Sequence, residues 1–137
     1  MMSEAKKTIV YVDDEQELIQ LVGMMLRPRG YRVVGAIGGC AGLEIIRQVK
    51  PDLVLLDLMM PDMNGDQVYR RLKDDDTLRH IPVVITAAGT AQKTRVLCEQ
   101  LLKANGFVLK PFSLRELTDT IEQALYPPPD EMGHFAT

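Results

Sequence analysis

The sequence has little cysteine, little net charge and no long apolar run, and each shortage excludes a class of protein. Its two cysteines, Cys40 and Cys98, lie far apart and fit no metal-ligand spacing, so we predict buried thiols in a cytoplasmic protein. Sixteen basic and 19 acidic residues give a net charge of −3, which provides no electrostatic argument for a nucleic acid partner. No apolar run approaches a membrane span, and residues 1–7 lack the apolar stretch of a signal peptide, so no membrane partner is expected.

The size and composition of the chain favour one ordinary globular domain. Its 137 residues are too few for two domains, and a hydrophobic content of 46% is enough for a full core. We predict the domain to extend over residues 1–126. Three consecutive prolines begin at Pro127, so residues 127–137 are predicted to be a polar tail or the start of a linker. Whether the chain stands alone or belongs to a longer protein is left open.

Short apolar runs alternate with segments of helical spacing along the chain. Strands are predicted at residues 8–12, 31–36, 53–56, 81–86 and 107–109. Helices are predicted at about 15–27, from Gly38 to before Pro51, after Gly65, at 91–104 and from Leu114 to Leu125. Strict alternation predicts a parallel sheet covered on both faces. The predicted fold is therefore flavodoxin-like α/β: a (βα)5 doubly wound parallel sheet of order 2-1-3-4-5 in three α/β/α layers, the order resting on fold analogy.

The chain is organised around the stretch from Leu53 to Gly65. Residues 53–56 are wholly apolar, which is typical of a strand buried on both faces. Asp57 ends the run, and Pro61 and Asn64 then break regular structure. A carboxylate thus follows a buried strand, at the edge where open α/β sheets bind ligands. Taken alone, Asp57 could equally be a helix cap or a turn residue.

Polar side chains follow four neighbouring strands of the predicted sheet. They are Asp13 and Asp14, Asp57, Thr86 and Lys110. Three carboxylates at one edge repel one another, and Mg²⁺, which prefers oxygen ligands, would remove that cost. A lysine and a hydroxyl beside them suit a phosphoryl group that a carboxylate attacks. Each residue taken singly has an ordinary explanation, such as a helix N-cap for the acid pair, but the conjunction favours the phosphoryl site.

At these positions the sequence resembles the receiver domain of two-component response regulators. The resemblance covers about residues 8 to 125, and its motifs are together highly specific. The matching segments are Val12-Asp13-Asp14-Glu15, Leu56-Asp57-Leu58-Met59-Met60-Pro61-Asp62-Met63-Asn64-Gly65, Val84-Ile85-Thr86-Ala87 and Lys110-Pro111-Phe112.

The resemblance implies phosphorelay signal transduction. Asp57 would accept a phosphoryl group from a sensor histidine kinase or a phosphotransfer protein. The reaction would need Mg²⁺, bound directly by Asp14, through water by Asp13, and by Asp57 and the backbone carbonyl of Met59. Lys110 would pair with the phosphoryl group. Such a domain is not an enzyme acting on a separate substrate, because it catalyses only its own phosphorylation and slow dephosphorylation.

The resemblance also implies a conformational switch. Thr86 would move towards the phosphoryl group and Phe107 would rotate inward. The face formed by the fourth helix, fifth strand and fifth helix would change, and it could also support a homodimer. The family often has a cis peptide at the position of Lys110–Pro111, a bond type in which the cis form costs little. The stretch from Thr86 to Lys110 is slightly longer than usual, and residues 102–106 depart from the common turn.

Three alternatives use related residues. A phosphatase of the haloacid dehalogenase type needs a second acid two residues after its nucleophile, where this chain has Met59. A flavin mononucleotide carrier of the same fold needs a hydroxyl- and glycine-rich loop after the first strand, where this chain has three acids, residues 13–15. A degenerate receiver used only for docking would not need the complete acid set.

The residues expected beside the water that would hydrolyse the phosphoryl group indicate that this group is long-lived. By the resemblance, these lie two residues after Asp57 and two after Thr86, and they are Met59 and Ala88, neither of which can hold a water. We therefore expect slow autodephosphorylation, and Met59→Asn should accelerate it several-fold. The measurement is the decay of labelled protein after removal of the donor, with Mg²⁺ present. A fast wild type, or an unchanged variant, would show that water access is controlled elsewhere, for example by residues 87–92.

Overall fold

One parallel sheet of five strands forms the centre of the molecule. The structure, a computed structural model, describes residues 6–88 and 103–128. Its strands are β1 (Lys7–Asp13), β2 (Tyr31–Ile37), β3 (Leu53–Asp57), β4 (Val83–Ala87) and β5 (Gly106–Leu109). All neighbouring pairs are parallel, in the order β2-β1-β3-β4-β5. The predicted order and the flavodoxin-like fold are therefore confirmed.

Helices cover both faces of the sheet. They are α1 (Gln16–Leu26), α2 (Gly39–Val49), α3 (Gly65–Lys73) and the C-terminal helix (Leu114–Leu125). The apolar faces of α1 and the C-terminal helix pack into one core, and those of α2 and α3 pack into a second core on the opposite side. This is the predicted arrangement of three layers. The helix predicted at 91–104 falls almost wholly outside the described residues.

The central strand β3 is buried along its whole length. Leu53 and Leu55 contribute to the core beneath α1 and the C-terminal helix, whereas Val54 and Leu56 contribute to the core beneath α2 and α3. Because side chains alternate along a strand, Asp57 projects on the same side as Leu53 and Leu55. The acid predicted as the centre of the site is thus held by a strand that is paired on both edges and packed on both faces.

The ends of the elements follow local chemistry. The C-terminal helix begins with a capping box, in which Glu116 N donates to Ser113 Oγ at 3.0 Å and Ser113 N donates to Glu116 Oε1 at 2.9 Å. Strand β4 begins at Val83 rather than at the predicted Ile81, because Pro82 has no N–H to contribute to the ladder. In the described part of the chain, no helix has both the length and the apolarity to cross a bilayer.

The prediction of buried thiols is wrong for Cys40, which is exposed. The buried stripe of α2 follows Gly39, Leu43 and Ile46, and Cys40 lies about a third of a turn away from its centre. Val49, in the last turn of α2, is also exposed. Cys98 lies outside the described residues.

A close backbone approach at Gly65 joins α3 to the end of β3. Gly65 N donates to Leu58 O at 2.8 Å, and a Cβ at Gly65 would collide with the backbone oxygen of Asp57. Since backbone atoms cannot rotate away, we expect Gly65→Ala to lower the free energy of unfolding by about 2 kcal/mol or more. Gly23→Ala is the matched control because its added Cβ meets only the flexible end of Arg27, and its stability should stay within about 1 kcal/mol of wild type. Denaturant unfolding measures both, and equal stabilities would contradict the argument.

Candidate functional site

The parallel register brings the predicted acids to one edge of the sheet. Asp57 on β3 pairs with Thr86 on β4, and β1, which ends at Asp13, lies on the other side of β3. One carboxylate oxygen from each of Asp13, Asp14 and Asp57 lies within 4.8 Å of the others. Asp13 and Asp57 are buried, whereas Asp14 is exposed. The sequence prediction that these residues meet is therefore realised in the structure.

Lys110 lies among the carboxylates, where β5 ends. Its Nζ is 3.0 Å from Asp13 Oδ2, 3.2 Å from Glu15 Oε1 and 3.5 Å from Asp57 Oδ1. Burial alone would lower the pKa of Lys110, but the hydrogen bond to Asp13 and the nearby negative charges raise it above its ordinary value. The ammonium therefore stays charged. Sequence reasoning missed Glu15 as a partner of Lys110, although it stands directly after the acid pair.

The two buried carboxyls have opposite pKa shifts. Burial acts to raise the pKa of Asp13, but hydrogen bonds from Tyr11 Oη (2.6 Å), Glu15 N (2.9 Å) and Lys110 hold it below its ordinary value. Burial and the charge of Asp13 together raise the pKa of Asp57 to about 7. Asp57 accepts a long hydrogen bond, 3.4 Å, from Met59 N, and Lys110 Nζ lies farther from it than from Asp13. Of the two buried carboxylates, Asp57 is therefore the one whose negative charge is less well compensated.

This set of donors fits Mg²⁺. A small, hard cation takes oxygen ligands, retains several waters, and needs only a few carboxylates. Asp13, Asp14 and Asp57 would hold it. Such a cation would neutralise the negative charge that, together with burial, raises the pKa of Asp57. The loop that carries Met59, whose backbone carbonyl is the remaining predicted ligand, begins directly after Asp57.

The loop after Asp57 is fastened at several points. Leu58 N donates to Thr86 O at 2.9 Å, which ties the start of the loop to β4. Asp62 accepts hydrogen bonds from Gly39 N (3.1 Å) and Cys40 N (3.2 Å), which lie at the start of α2. These bonds lower the pKa of Asp62, as expected for an acid at a helix N-terminus. Sequence reasoning did not identify Asp62 because its partners lie more than 20 residues away.

The two predicted switch residues lie on neighbouring strands, Thr86 on β4 and Phe107 on β5. Thr86 is fully buried, and its Oγ1 has no hydrogen-bond partner within residues 6–88 and 103–128. Phe107 pairs with Ile85 and is half-buried against the core beneath α2 and α3. The peptide bond between Lys110 and Pro111 is cis, as the resemblance implied.

A cavity of about 610 Å³ opens beside the acids. Its polar end includes Asp14, Asp57 and Lys110. Its apolar wall is formed by side chains of α1 and of the segment after β5: Leu18, Leu21, Met25, Pro111 and Phe112. Met59, 64% exposed, and Ala88 also line it. The acidic centre thus opens into a cavity whose lining is mostly hydrophobic.

Comparison with known proteins identifies the family. The model of the response regulator receiver domain matches residues 9–122. The chain belongs to the response regulator receiver domain family. It is 30% identical over 122 residues to the polar-differentiation response regulator DivK of Brucella anthropi, covering 87% of this chain and 96% of that protein.

Solved structures agree with this assignment. The receiver domain is similar to the N-terminal domain of a response regulator receiver protein from Methanoculleus marisnigri, with a TM-score of 0.68, 34% identity, and coverage of 88% of this chain and 97% of the other. It shares its fold with the chemotaxis protein CheY4 of Vibrio cholerae, with a TM-score of 0.81, 24% identity, and coverage of 88% and 100%. The protein is therefore a signalling domain of this family.

The raised pKa of Asp57 predicts that its charge destabilises the metal-free receiver domain. A carboxyl whose pKa rises from 3.8 to about 7 contributes stability that is present below pH 3.8 and is lost as the pH increases towards 7. At about 1.4 kcal/mol per pKa unit, the full change would be worth about 4 kcal/mol. Solvent screening beside the open cavity reduces this value, so Asp57→Asn should increase the free energy of unfolding at neutral pH by about 1–3 kcal/mol. The measurement is chemical denaturation with and without Mg²⁺.

Two comparisons make this prediction specific. Mg²⁺ should stabilise the wild type more than Asp57→Asn, because the variant has lost part of the charge that the cation neutralises. Asp76→Asn is the control, since the Asp76 side chain is 83% exposed and pairs with the exposed Arg79. An Asp57→Asn variant no more stable than wild type at neutral pH would contradict the charge argument.

Proposed function

We propose that this receiver domain transfers a phosphoryl group from a phosphohistidine to Asp57 and thereby changes its contact with a downstream partner. The observation that supports this most directly is the meeting of three carboxylates with Lys110 at the mouth of an open cavity. In the reaction a carboxylate oxygen of Asp57 bonds to phosphorus as the bond between phosphorus and the histidine nitrogen breaks. The bonding electrons remain on the imidazole, which then takes up a proton.

The surrounding residues have distinct roles in this proposal. Mg²⁺ held by Asp13, Asp14, Asp57 and the Met59 carbonyl would supply positive charge opposite the phosphoryl oxygens. Lys110, already 3.5 Å from Asp57 Oδ1, pairs with another phosphoryl oxygen once the group is attached. The buried hydroxyl of Thr86 donates to a further oxygen, and Phe107 moves inward with it.

The cavity beside Asp57 suits a protein donor. Leu21 is 50% exposed and lies on the wall of the cavity with Leu18 and Met25, one to three turns along α1 from the acid pair. A phosphohistidine carried on a helical surface could bury apolar residues here while its phosphoryl group reaches Asp57. We therefore propose a sensor histidine kinase or a phosphotransfer protein as the partner.

The compartment and the assembly also remain proposals. The exposed thiol of Cys40 fits a reducing compartment, and we propose the cytoplasm. A homodimer through the face that includes the predicted fourth helix stays a prediction, because most of that helix falls outside the described residues.

Phosphorylation by acetyl phosphate with Mg²⁺ tests the function. The wild type should gain the mass of one phosphoryl group, and Asp57→Asn should gain none because it lacks the nucleophile. Asp14→Ala should bind Mg²⁺ more weakly and label more slowly in parallel. Asp76→Asn, a matched loss of one carboxylate far from the site, should label like wild type.

The same experiment separates the alternatives. Repeated hydrolysis of a phosphoester would indicate a phosphatase instead of a receiver. Label retained on Asp57→Asn at a rate near that of wild type would refute the assignment of the nucleophile. An unchanged Mg²⁺ affinity in Asp14→Ala would indicate that the acid pair serves as a helix cap and not as a metal site.

A further inference from the structure

Tyr11 carries a polar atom from the hydrophobic core into the acid site. Its side chain is fully buried on β1, beside Ile9 and opposite Leu55 of β3, in the core beneath α1 and the C-terminal helix. An aliphatic residue would satisfy such a position. The phenol adds one hydroxyl, and that hydroxyl donates a buried hydrogen bond of 2.6 Å to Asp13 Oδ2.

The sheet register explains how Tyr11 reaches the site. Leu55, opposite Tyr11, is two residues before Asp57, and Asp57 pairs with Thr86. The ring therefore lies one row below the carboxylates, on the same face of the sheet. Burial, the hydrogen bond to Asp13 and the charge of Asp57 raise the pKa of Tyr11 far above its ordinary value, so the phenol stays protonated at neutral pH.

Asp13 is positioned by three donors, of which Tyr11 is the most deeply buried. Oδ2 accepts from Tyr11 and lies 3.0 Å from Lys110 Nζ, while Oδ1 accepts from Glu15 N at 2.9 Å. Lys110 is also shared with Glu15 and Asp57, and in the proposed function it turns to the phosphoryl group. The bond from Tyr11 is the side-chain contact that fixes Asp13 throughout.

We propose that Tyr11 is a positioning residue of the phosphoacceptor site, holding Asp13 in place for the metal through its 2.6 Å hydrogen bond. This inference rests on the proposed function. If Tyr11 served only to fill the core, phenylalanine would replace it without effect on the site. The hydroxyl is thus the atom to remove.

Tyr11→Phe removes that oxygen and keeps the ring. The Mg²⁺ affinity, measured from amide chemical shifts during titration, should fall about tenfold, the lower end of the loss seen when a hydrogen-bond partner of a metal ligand is removed. Tyr31→Phe is the matched control, because Tyr31 is a buried tyrosine of the same core at the opposite end of the sheet. Its affinity should stay within about twofold of wild type. An affinity in Tyr11→Phe within twofold of wild type, or higher, would overturn the role at Asp13.

A measurement on the unsubstituted protein covers the case in which Tyr11→Phe fails to fold. With isotope-labelled tyrosine, the ring Cζ resonance of Tyr11 reports the hydrogen bonds of its hydroxyl. Adding Mg²⁺ should move the Tyr11 resonance, because the carboxylate that accepts its hydrogen bond then faces the cation, while the Tyr31 resonance stays in place. A Tyr11 resonance that does not respond to Mg²⁺ would overturn the role at Asp13.

Failure of the proposed function has a different signature. A wild-type protein that neither binds Mg²⁺ nor accepts a phosphoryl label would overturn the function and this inference together. A wild type that does both, beside a Tyr11→Phe variant that binds Mg²⁺ equally well, would overturn the inference alone.

Discussion

Electrostatic repulsion between buried carboxylates is the constraint around which this domain is arranged. Asp13 and Asp57 are taken out of water together, and neither can be ionised without cost unless positive charge or hydrogen-bond donors face it. Lys110 and the donors around Asp13 compensate one of them, which leaves the other in excess. A cation at this edge would therefore stabilise the site.

The rest of the fold holds this unfavourable arrangement in place. The central strand is paired on both edges and packed against a core on both faces, so it cannot move away to relieve the repulsion between the carboxylates. The loop beyond it is tied to β4 through Leu58 and to α2 through Asp62. Burial of the apolar residues of the sheet supplies the free energy that offsets the cost of the charged edge.

The sequence was informative wherever function coincides with a strand end. Asp57, Thr86 and Lys110 each follow an apolar run, so periodicity alone located them and the parallel topology brought them together. Their pKa values could not be predicted from the sequence, because a pKa depends on which hydrogen-bond donors face which carboxylate oxygen. The opposite shifts of Asp13 and Asp57 arise from hydrogen bonds that only coordinates reveal.

The features missed by sequence reasoning share a physical cause. In the sequence, Tyr11 has the pattern of an ordinary core residue of a β-strand. Alternation along a strand indicates which side chains are buried, but it does not show which atom the phenol oxygen contacts. Asp62 lies in a loop, and the residues that it binds are distant in the sequence. Cys40 was assigned to the wrong face of α2 because small side chains in a helix indicate only weakly which face is buried. Patterns of hydrophobicity specify elements, whereas contacts between polar side chains are set by rotamers and register.

The two-part lining of the cavity has an evolutionary consequence. The acids and the lysine lie at strand ends that the core fixes, whereas the apolar wall is formed by exposed or half-exposed side chains of α1 and the segment after β5. Substitutions at Leu18, Leu21 or Met25 can therefore accumulate without changing the distances among the carboxylates. Duplicated copies of such a domain can diverge in this apolar surface while inheriting the same arrangement of acids and lysine.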